Sequence, residues 1–190
     1  MSKEYKILKN IEKHIVLSDP EKELILSSAR KKNTGKKELL LRQGSKCRKI
    51  YFVEEGSLRA FNINEDGKDS TIMFAVQDWW VTDMNAFVNQ KPALLSIETL
   101  TCCSLVELDF QVLEGLFKEI PKLERLFRIL FQNAYIREQL RVLDNISLTT
   151  EERYYKFIKK YPQIVQQVTQ KQIASYLGVT PEFLSSVKKK

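Results

Sequence analysis

The sequence predicts an α+β protein, in which an antiparallel β-roll of the jelly-roll type is followed by a long helix and a small helical domain. Three observations predict this order: short β-rich runs between Lys36 and Asp109, a helical period after Pro121, and two capped helices near the C-terminus. With 43% hydrophobic residues, the 190-residue chain can bury a substantial core. We divide it into three parts: N-terminal helices and the roll at 1–115, the long helix at 116–145, and the C-terminal domain at 146–190.

A short helix precedes the roll. Ser18-Asp19-Pro20-Glu21 predicts its start, because a capping side chain is followed by proline in the first turn. From Lys36 the period becomes that of strands, and the β-rich runs are Glu38–Arg42, Ile50–Val53, Leu58–Ile63, Ser70–Val76 and Ile97–Leu108. The turn residues that divide them are Gln43–Ser45, Glu55–Gly56 and Asn64–Gly67. Short strands separated by such turns are typical of an antiparallel roll or barrel.

The long helical segment opens at Pro121 and continues to about Asp144. Six residues in it follow the alternating three- and four-residue spacing of a helix–helix seam: Leu123, Leu126, Leu130, Asn133, Arg137 and Leu140. We therefore expect this helix to pair with the same helix of a second copy, which makes the protein a homodimer. A core helix of a single chain would show the same spacing and stays open as the alternative.

The C-terminal domain carries a helix-turn-helix pattern. Thr169 and Gln172 form a capping-box pair, Gly178 ends the helix that follows, and Thr180 caps a second helix with Pro181 at its first position. The small core between the two helices is assigned to Ile173, Ala174, Leu177, Val179, Leu184 and Val187. Two short helices joined by a tight turn, of which the second enters the major groove, form a DNA-binding unit.

Charge supports double-stranded DNA as the partner. The segment 145–190 has a net charge of +5, and the rest of the chain has only +2 of the total of +7. We expect four residues of the second helix to lie near base edges: Pro181, Glu182, Ser185 and Ser186. Phosphate contacts are assigned to Thr169, Gln170, Thr180, Lys188 and Lys189. Because the base-reading face lacks arginine, DNA shape should contribute to specificity.

Two stretches resemble the CRP/FNR family of bacterial transcription regulators. Gly44 and the run Ile50–Arg59 look like that family's β-roll signature of the cyclic-nucleotide-binding type, and Thr169–Lys188 is similar to its DNA-binding motif. The resemblance implies a sensory roll, a dimerisation helix and a winged-helix or helix-turn-helix domain. It also implies palindromic operators, and contact with RNA polymerase if the protein activates transcription.

The sequence departs from the family where its members hold a cyclic nucleotide. Those members use a Gly-Glu pair and a later Arg-Ser/Thr-Ala sequence, whereas Asp78–Asn85 offers an acid at Asp83 without the glycine and Pro92–Ser96 has no arginine. A buried phosphate needs such a charge partner, so we do not expect cyclic AMP to bind. We name Trp80, Asp83 and Asn85 as the pocket for an unknown small-molecule effector, although an aromatic pair such as Trp79-Trp80 beside a roll is more often part of the core.

Other functions have less support. The thiols at Cys47, Cys102 and Cys103 show neither disulfide nor metal-ligand spacing and are expected to be free and buried, and His14 is the one histidine. We therefore expect no metal, no cofactor and no enzymatic activity. Two alternatives stay open: a cyclic-nucleotide-binding-like module that regulates a protein partner and, more remotely, a metal-free enzyme like the cupins. No stretch is apolar enough for a membrane helix or a signal peptide, which predicts a cytoplasmic protein without a membrane partner.

Overall fold

The computed structural model describes residues 5–187. Two short helices come first, α1 (Lys6–Glu12) and α2 (Asp19–Ser28). Helix α2 begins at the predicted place, where the side chains of Ser18 and Glu21 form a capping box. Ile7, Ile11 and Ile25 lie in the core of the roll, so these helices close one end of it.

Two four-stranded antiparallel sheets form the roll. The strands are β1 (Arg30–Thr34), β2 (Leu39–Leu41), β3 (Lys49–Glu55), β4 (Ser57–Ile63), β5 (Asp69–Val76), β6 (Trp80–Val81), β7 (Ser96–Thr99) and β8 (Cys103–Asp109), with helix α3 (Met84–Asn89) between β6 and β7. The order of strands is β1-β8-β3-β6 in one sheet and β2-β7-β4-β5 in the other. Each predicted β-rich run contains a strand, and the last run divides into β7 and β8 at a turn. The predicted roll is thereby confirmed.

The turn between β3 and β4 requires glycine. Gly56 has a φ of +90°, and a Cβ atom there would lie 2.6 Å from the carbonyl oxygen of Cys102 and 2.6 Å from the Sγ atom of Cys103. An L side chain would therefore meet both backbone strain and a steric clash. The close approach ties the β3–β4 turn to the start of β8.

Two helices follow the roll, α4 (Phe110–Glu119) and the long helix α5 (Lys122–Ser147). The core of the roll continues into α5, because Leu123, Leu126 and Phe127 are buried in the same hydrophobic cluster as strands β3 and β8. In the second half of α5, Arg137 still contacts Trp79 of the roll. One end of this helix is thus fixed by intrachain packing.

The C-terminal unit is helical: α6 (Thr150–Lys160), α7 (Pro162–Val165), α8 (Gln170–Leu177) and α9 (Pro181–Val187). Helix α6 begins at a capping box between Thr149 and Glu152. Within the described residues no strand follows β8, so the wing implied by the family resemblance has no strands there. The helix-turn-helix, which the resemblance also implies, is present.

This helical unit packs directly on the roll. The ring of Phe74, which is fully buried, lies between α6 and α8, with ring centroids 5.8 Å from Phe157 and 5.3 Å from Tyr176. Ser175 of α8 hydrogen-bonds the edge strand β5: its hydroxyl accepts from the N–H of Thr71 at 2.7 Å and donates to the carbonyl of Asp69 at 3.1 Å. The roll therefore determines where the helix-turn-helix lies.

In residues 5–187 we find no helix with the length and apolar character needed to cross a membrane.

Candidate nucleic-acid interface and effector cavity

Helix α8 begins and ends at the residues that the sequence predicts. The N–H of Gln172 donates to Thr169 Oγ1 at 3.2 Å, and the N–H of Thr169 donates to Gln172 Oε1 at 2.9 Å. Gly178 ends the helix in the left-handed conformation with a φ of +70°. Both ends of the first helix of the motif follow from local sequence.

The turn and helix α9 also agree with the prediction. Thr180 Oγ1 accepts a hydrogen bond from the N–H of Phe183 at 3.2 Å, and Pro181 is the first residue of the helix. Of the residues assigned to the core of the motif, those that are buried are Ile173, Ala174, Leu177, Leu184 and Val187, while Val179 is half-buried and packs against them. The helix-turn-helix is a closed packing unit.

One face of α9 stays exposed. Glu182, Phe183 and Ser186 point away from the core, and Phe183 keeps 51% of its surface exposed. Two predicted base-edge residues are engaged within the protein: the Ser185 hydroxyl donates to Gln170 Oε1 at 3.2 Å, and the Ser186 hydroxyl donates to the Phe183 carbonyl at 2.7 Å. Sequence reasoning missed Phe183, although a large apolar residue beside the buried Leu184 was the available signal.

The predicted phosphate contacts lie around this face. Thr169, Gln170 and Thr180 are exposed and Pro181 is half-buried, so the polar residues of the two helix starts reach solvent together. Lys171 is exposed in the first turn of α8 and was not predicted. The predicted contacts of Lys188 and Lys189 lie outside the described residues.

A cavity of about 560 Å³ lies between the roll and α5, and we call it the roll cavity. Its wall is mainly apolar and aromatic, with residues from both sheets, from the β5–α3 segment and from α5. The main contributors are Met73, Trp79, Trp80, Met84, Leu95 and Phe131. Arg137 is the one cation among its described lining residues, and Asp78 and Glu138 are the acids. A mainly apolar surface with a few polar and charged groups suits a small, largely apolar molecule.

Trp80 is the predicted pocket residue that does line the roll cavity. Its indole N–H donates to Asn10 Oδ1 at 3.0 Å, and its ring lies 5.2 Å from that of Phe52 and 5.5 Å from that of Phe127. These contacts come from α1, the roll and α5. The Trp80 ring is therefore held rigidly as part of the wall.

The other two predicted pocket residues lie elsewhere. The Asp83 side chain is almost fully buried and accepts hydrogen bonds from three backbone N–H groups, those of Ala86 at 3.1 Å, Leu94 at 2.6 Å and Leu95 at 2.9 Å. Asn85 is exposed and bonds Asn89 in the same helix. Asp83 caps α3 and holds the α3–β7 loop against that helix through these hydrogen bonds. Neither Asp83 nor Asn85 is part of the cavity wall.

The seam predicted for α5 is only partly exposed. Leu123 and Leu126 are 3% and 0% exposed in the core of the same chain's roll, so their assignment to a dimer seam is wrong. Leu130 packs half-buried against that core, Asn133 and Leu140 are exposed, and Arg137 is half-buried. A largely different apolar set of α5 is exposed, and all of its members but Phe131 lie in the second half of the helix: Phe131, Tyr135, Ile136, Leu140, Val142, Leu143 and Ile146.

Comparison with known proteins agrees with this architecture. Residues 31–119 match the family model for the cyclic nucleotide-binding domain. The regulatory protein HlyX of Actinobacillus pleuropneumoniae is 25% identical over 169 residues, which cover 82% of this chain and 69% of that protein. Alignments with the curated relatives cover between 60% and 69% of those relatives' own length.

Solved structures share the fold. The c-di-GMP-responsive global regulator CLP of Xanthomonas campestris has a TM-score of 0.73 at 16% identity, with 90% of both chains covered. A putative CRP/FNR-family transcriptional regulator of Eubacterium rectale has a TM-score of 0.73 at 16% identity, covering 91% of this chain and 82% of that one. With a cyclic nucleotide-binding-type roll, a long helix and a helix-turn-helix in this order, the chain is similar in sequence and in fold to regulators of the CRP/FNR family.

Proposed function

We propose that the protein is a cytoplasmic homodimer that binds double-stranded DNA at specific sites and regulates transcription there. The exposed face of α9, held on a capped helix-turn-helix, is the observation that carries this proposal. The names of similar proteins support it: HlyX is a regulatory protein, and CLP is a global regulator that links cell-cell signalling to virulence gene expression.

Two exposed side chains of α9 have the chemistry for reading bases. The Glu182 carboxylate can accept a hydrogen bond from the N4 amino group of cytosine, and the Phe183 ring can contact the methyl group of thymine. Exposed polar residues at the starts of α8 and α9 can contact the phosphates that flank these bases; they are Thr169, Gln170, Lys171 and Thr180. Since α9 has no arginine in its described residues, we infer that DNA shape supplies part of the specificity.

Dimerisation would use the second half of α5. Tyr135, Val142 and Ile146 lie seven and four residues apart and are each at least 55% exposed, so they form one apolar stripe. A free helix face of this kind is unfavourable in water and favourable against a second helix. Two copies paired there would place two α9 helices about 34 Å apart, matching half-sites separated by one turn of DNA.

We further propose that the roll cavity binds a small, mostly uncharged effector other than cyclic AMP. The argument rests first on the cavity wall, which is mainly apolar and whose one cation among the described residues, Arg137, is stacked on Trp79. Beside the cavity, the Asp83 carboxylate takes up the N–H groups of Ala86, Leu94 and Leu95. These donors, at a helix start and the following loop, are the kind that bind a phosphate. A nucleotide phosphate would have to displace the carboxylate or lie beside it, and repulsion between like charges opposes both arrangements.

A selection of genomic fragments by the purified full chain at a stated, moderate salt concentration tests the proposal. We expect a palindromic site to be enriched. The Glu182→Ala variant should bind that site more weakly by about 1–3 kcal/mol per lost base contact. The matched control is Glu23→Ala, which removes the same charge from an exposed position of α2 and should leave affinity unchanged.

The Phe183→Ala variant separates base reading from charge effects, because it changes no charge and removes a side chain that the fold leaves exposed. Ser185→Ala is a poorer choice, since it would also break the hydrogen bond to Gln170 that joins the two helices. The selection is run with and without cell extract as a source of effector. If the wild type enriches no sequence in either case, specific DNA binding is refuted. The leading function is then that of a module that regulates a protein partner.

A further inference from the structure

A second concavity, of about 300 Å³, lies between the second half of α5 and helices α6 and α8, and we call it the α5–α6 cleft. Phe157, Tyr161 and Tyr176 provide an aromatic surface inside it, of which the first two are buried. Ile136 and Leu140 of α5 line the opposite side. The cleft lies where the long helix meets the helix-turn-helix unit.

The α5–α6 cleft carries an excess of positive charge. Asp144 is the one carboxylate among its described lining residues, and the cations are Arg137, Arg141, Arg153, Lys156 and Lys160. Lys156 is paired with Asp144, with Nζ and Oδ1 2.7 Å apart, and Arg141 is paired with Glu138, with Nη2 and Oε2 2.8 Å apart. Three further cations line a small space that already contains aromatic rings.

Two of these cations are only partly satisfied by the protein. Lys160 Nζ lies 5.1 Å from the centre of the Tyr161 ring, and Arg153 donates to Asn145 Oδ1 at 2.8 Å and to Thr150 Oγ1 at 3.1 Å. Lys160 forms no ion pair with any carboxylate in the part of the chain described, and burial together with repulsion from Arg137 lowers the pKa of its amino group. The Nε atom of Arg153 is buried and has no hydrogen-bond acceptor among residues 5–187, although Nη1 donates to the Leu177 carbonyl at 2.9 Å. An anionic group stabilises both kinds of site, by charge and by accepting the free N–H.

We propose that the α5–α6 cleft binds a small organic anion, with a phosphate or carboxylate group beside Lys160 and Arg153 and a small apolar or aromatic body against Tyr161 and Tyr176. A small molecule fits better than a DNA backbone, because the cations converge on a recess lined with buried rings. Such a ligand touches α5, α6 and α8 together. Its binding would therefore stabilise the present orientation of the helix-turn-helix relative to the long helix.

Calorimetric titration of the full chain with phenyl phosphate tests the site, since this probe combines a doubly charged head with an aromatic ring. We expect saturable binding of one molecule per chain, weakened about tenfold in Lys160→Gln because a charge-assisted contact is lost. The matched control is Lys159→Gln, which removes the same charge from the neighbouring exposed residue of α6, outside the cleft. That variant should bind phenyl phosphate as the wild type does.

Two further titrations define the ligand class. Inorganic phosphate should bind more weakly than phenyl phosphate, and the uncharged benzyl alcohol should not show saturable binding. The proposal is overturned if phenyl phosphate does not saturate, if the two lysine variants lose affinity equally, or if benzyl alcohol binds as well. Displacement of phenyl phosphate by an unrelated DNA duplex would also overturn it, by showing that the cations belong to a surface for DNA.

Discussion

The guanidinium group of Arg137 lies 4.4 Å above the centre of the Trp79 ring. Trp79 belongs to the roll, and its ring also contacts that of Tyr161 in the helix-turn-helix unit, with centroids 6.2 Å apart. The Tyr161 ring in turn contacts the ring of Tyr176 in α8, with centroids 6.4 Å apart. Arg137 lines both the roll cavity and the α5–α6 cleft. The contact between these two residues thus joins the roll, the long helix and the helix-turn-helix.

Replacement of Arg137 by glutamine should loosen this junction. The cation–π contact with Trp79 and the pairing with Glu138 would be lost, and we expect the free energy of unfolding to fall by about 0.5–2 kcal/mol. Urea unfolding followed by tryptophan fluorescence measures the change. Arg128→Gln is the control, because Arg128 is exposed on the same helix and bonds only Gln132 at 2.9 Å among the hydrogen bonds found. Equal effects of the two variants would show that the Trp79 contact contributes nothing.

A pair of glycine substitutions should separate backbone strain from steric clash. Gly56→Ala and Gly67→Ala both place an L side chain at positive φ, +90° and +75°, which costs about 1–2 kcal/mol. At Gly56 the new Cβ also meets two atoms at 2.6 Å, whereas at Gly67 it meets none within 4 Å. Thermal or denaturant unfolding should therefore show the larger loss for Gly56→Ala, by a further ~1–3 kcal/mol from overpacking. Similar losses would mean that the β8 start moves aside freely.

The roll was predictable because its signals are local. Short runs rich in β-branched, aromatic and other apolar residues mark β3, β4 and β5, and glycine turns separate them. Strand β1 was not predicted, since Arg30–Thr34 is almost wholly polar and becomes a strand by pairing with β8. The two-residue β6 and the short α3 carry too few residues for a period to be visible. Long-range pairing determines such elements, and one sequence does not display it.

The candidate sites, like the strands, were predictable where the signal is local and not where it depends on long-range packing. The helix-turn-helix was predictable because Thr169, Gly178 and Thr180 act on backbone atoms within a few residues of themselves. The dimer seam was not predictable in this way. Residue spacing alone does not distinguish Leu126, which is buried in the roll of its own chain, from an exposed residue such as Val142. The cavity walls bring together residues more than fifty positions apart, as Trp79 and Arg137 do.

Thiol chemistry should distinguish the adjacent cysteines. Cys102 is exposed, while Cys103 and Cys47 are buried, which corrects the expectation that all three are buried. Burial raises the pKa of the Cys103 thiol, so near neutral pH less of it is present as the reactive thiolate. We expect one thiol of the native chain to react rapidly with a disulfide reagent, and Cys102→Ser to abolish that fast phase. Under denaturing conditions all three should react. A fast phase that persists in Cys102→Ser would place another thiol at the surface.

An aspartate in the exposed stripe of α5 should separate the proposed dimer. Val142 is 55% exposed, so Val142→Asp does not disturb the core of the chain but would bury a charge in a helix–helix seam. We expect sedimentation to show a dimer for the wild type and a monomer for the variant, with operator affinity reduced as well. Val16→Asp makes the same change at a more exposed valine, whose carbonyl accepts from Lys122 at the opposite end of α5 from Val142, and should leave the dimer intact. A dimeric Val142→Asp protein would place the interface elsewhere.

The Ser175 hydroxyl connects the helix-turn-helix unit to the roll at an edge strand. Strand β5 ends its sheet, so the outward N–H of Thr71 has no neighbouring strand and donates instead to Ser175. Thr71 is buried, and Ser175→Ala would leave that N–H without a partner at a cost of about 1–3 kcal/mol.

Hydrogen exchange measures this directly, because exchange at the Thr71 amide should accelerate in Ser175→Ala while amides in the middle of β4 keep their rates. Ser27→Ala is the control, since the Ser27 hydroxyl bonds only within its own helix, to the Leu24 carbonyl at 3.0 Å. Unchanged exchange at Thr71 would mean that apolar packing around Phe74 holds the helix-turn-helix without this hydrogen bond. Accelerated exchange throughout α8 and α9 would mean instead that Ser175 helps to dock the whole unit, and that the roll controls the position of the DNA-reading helix through β5.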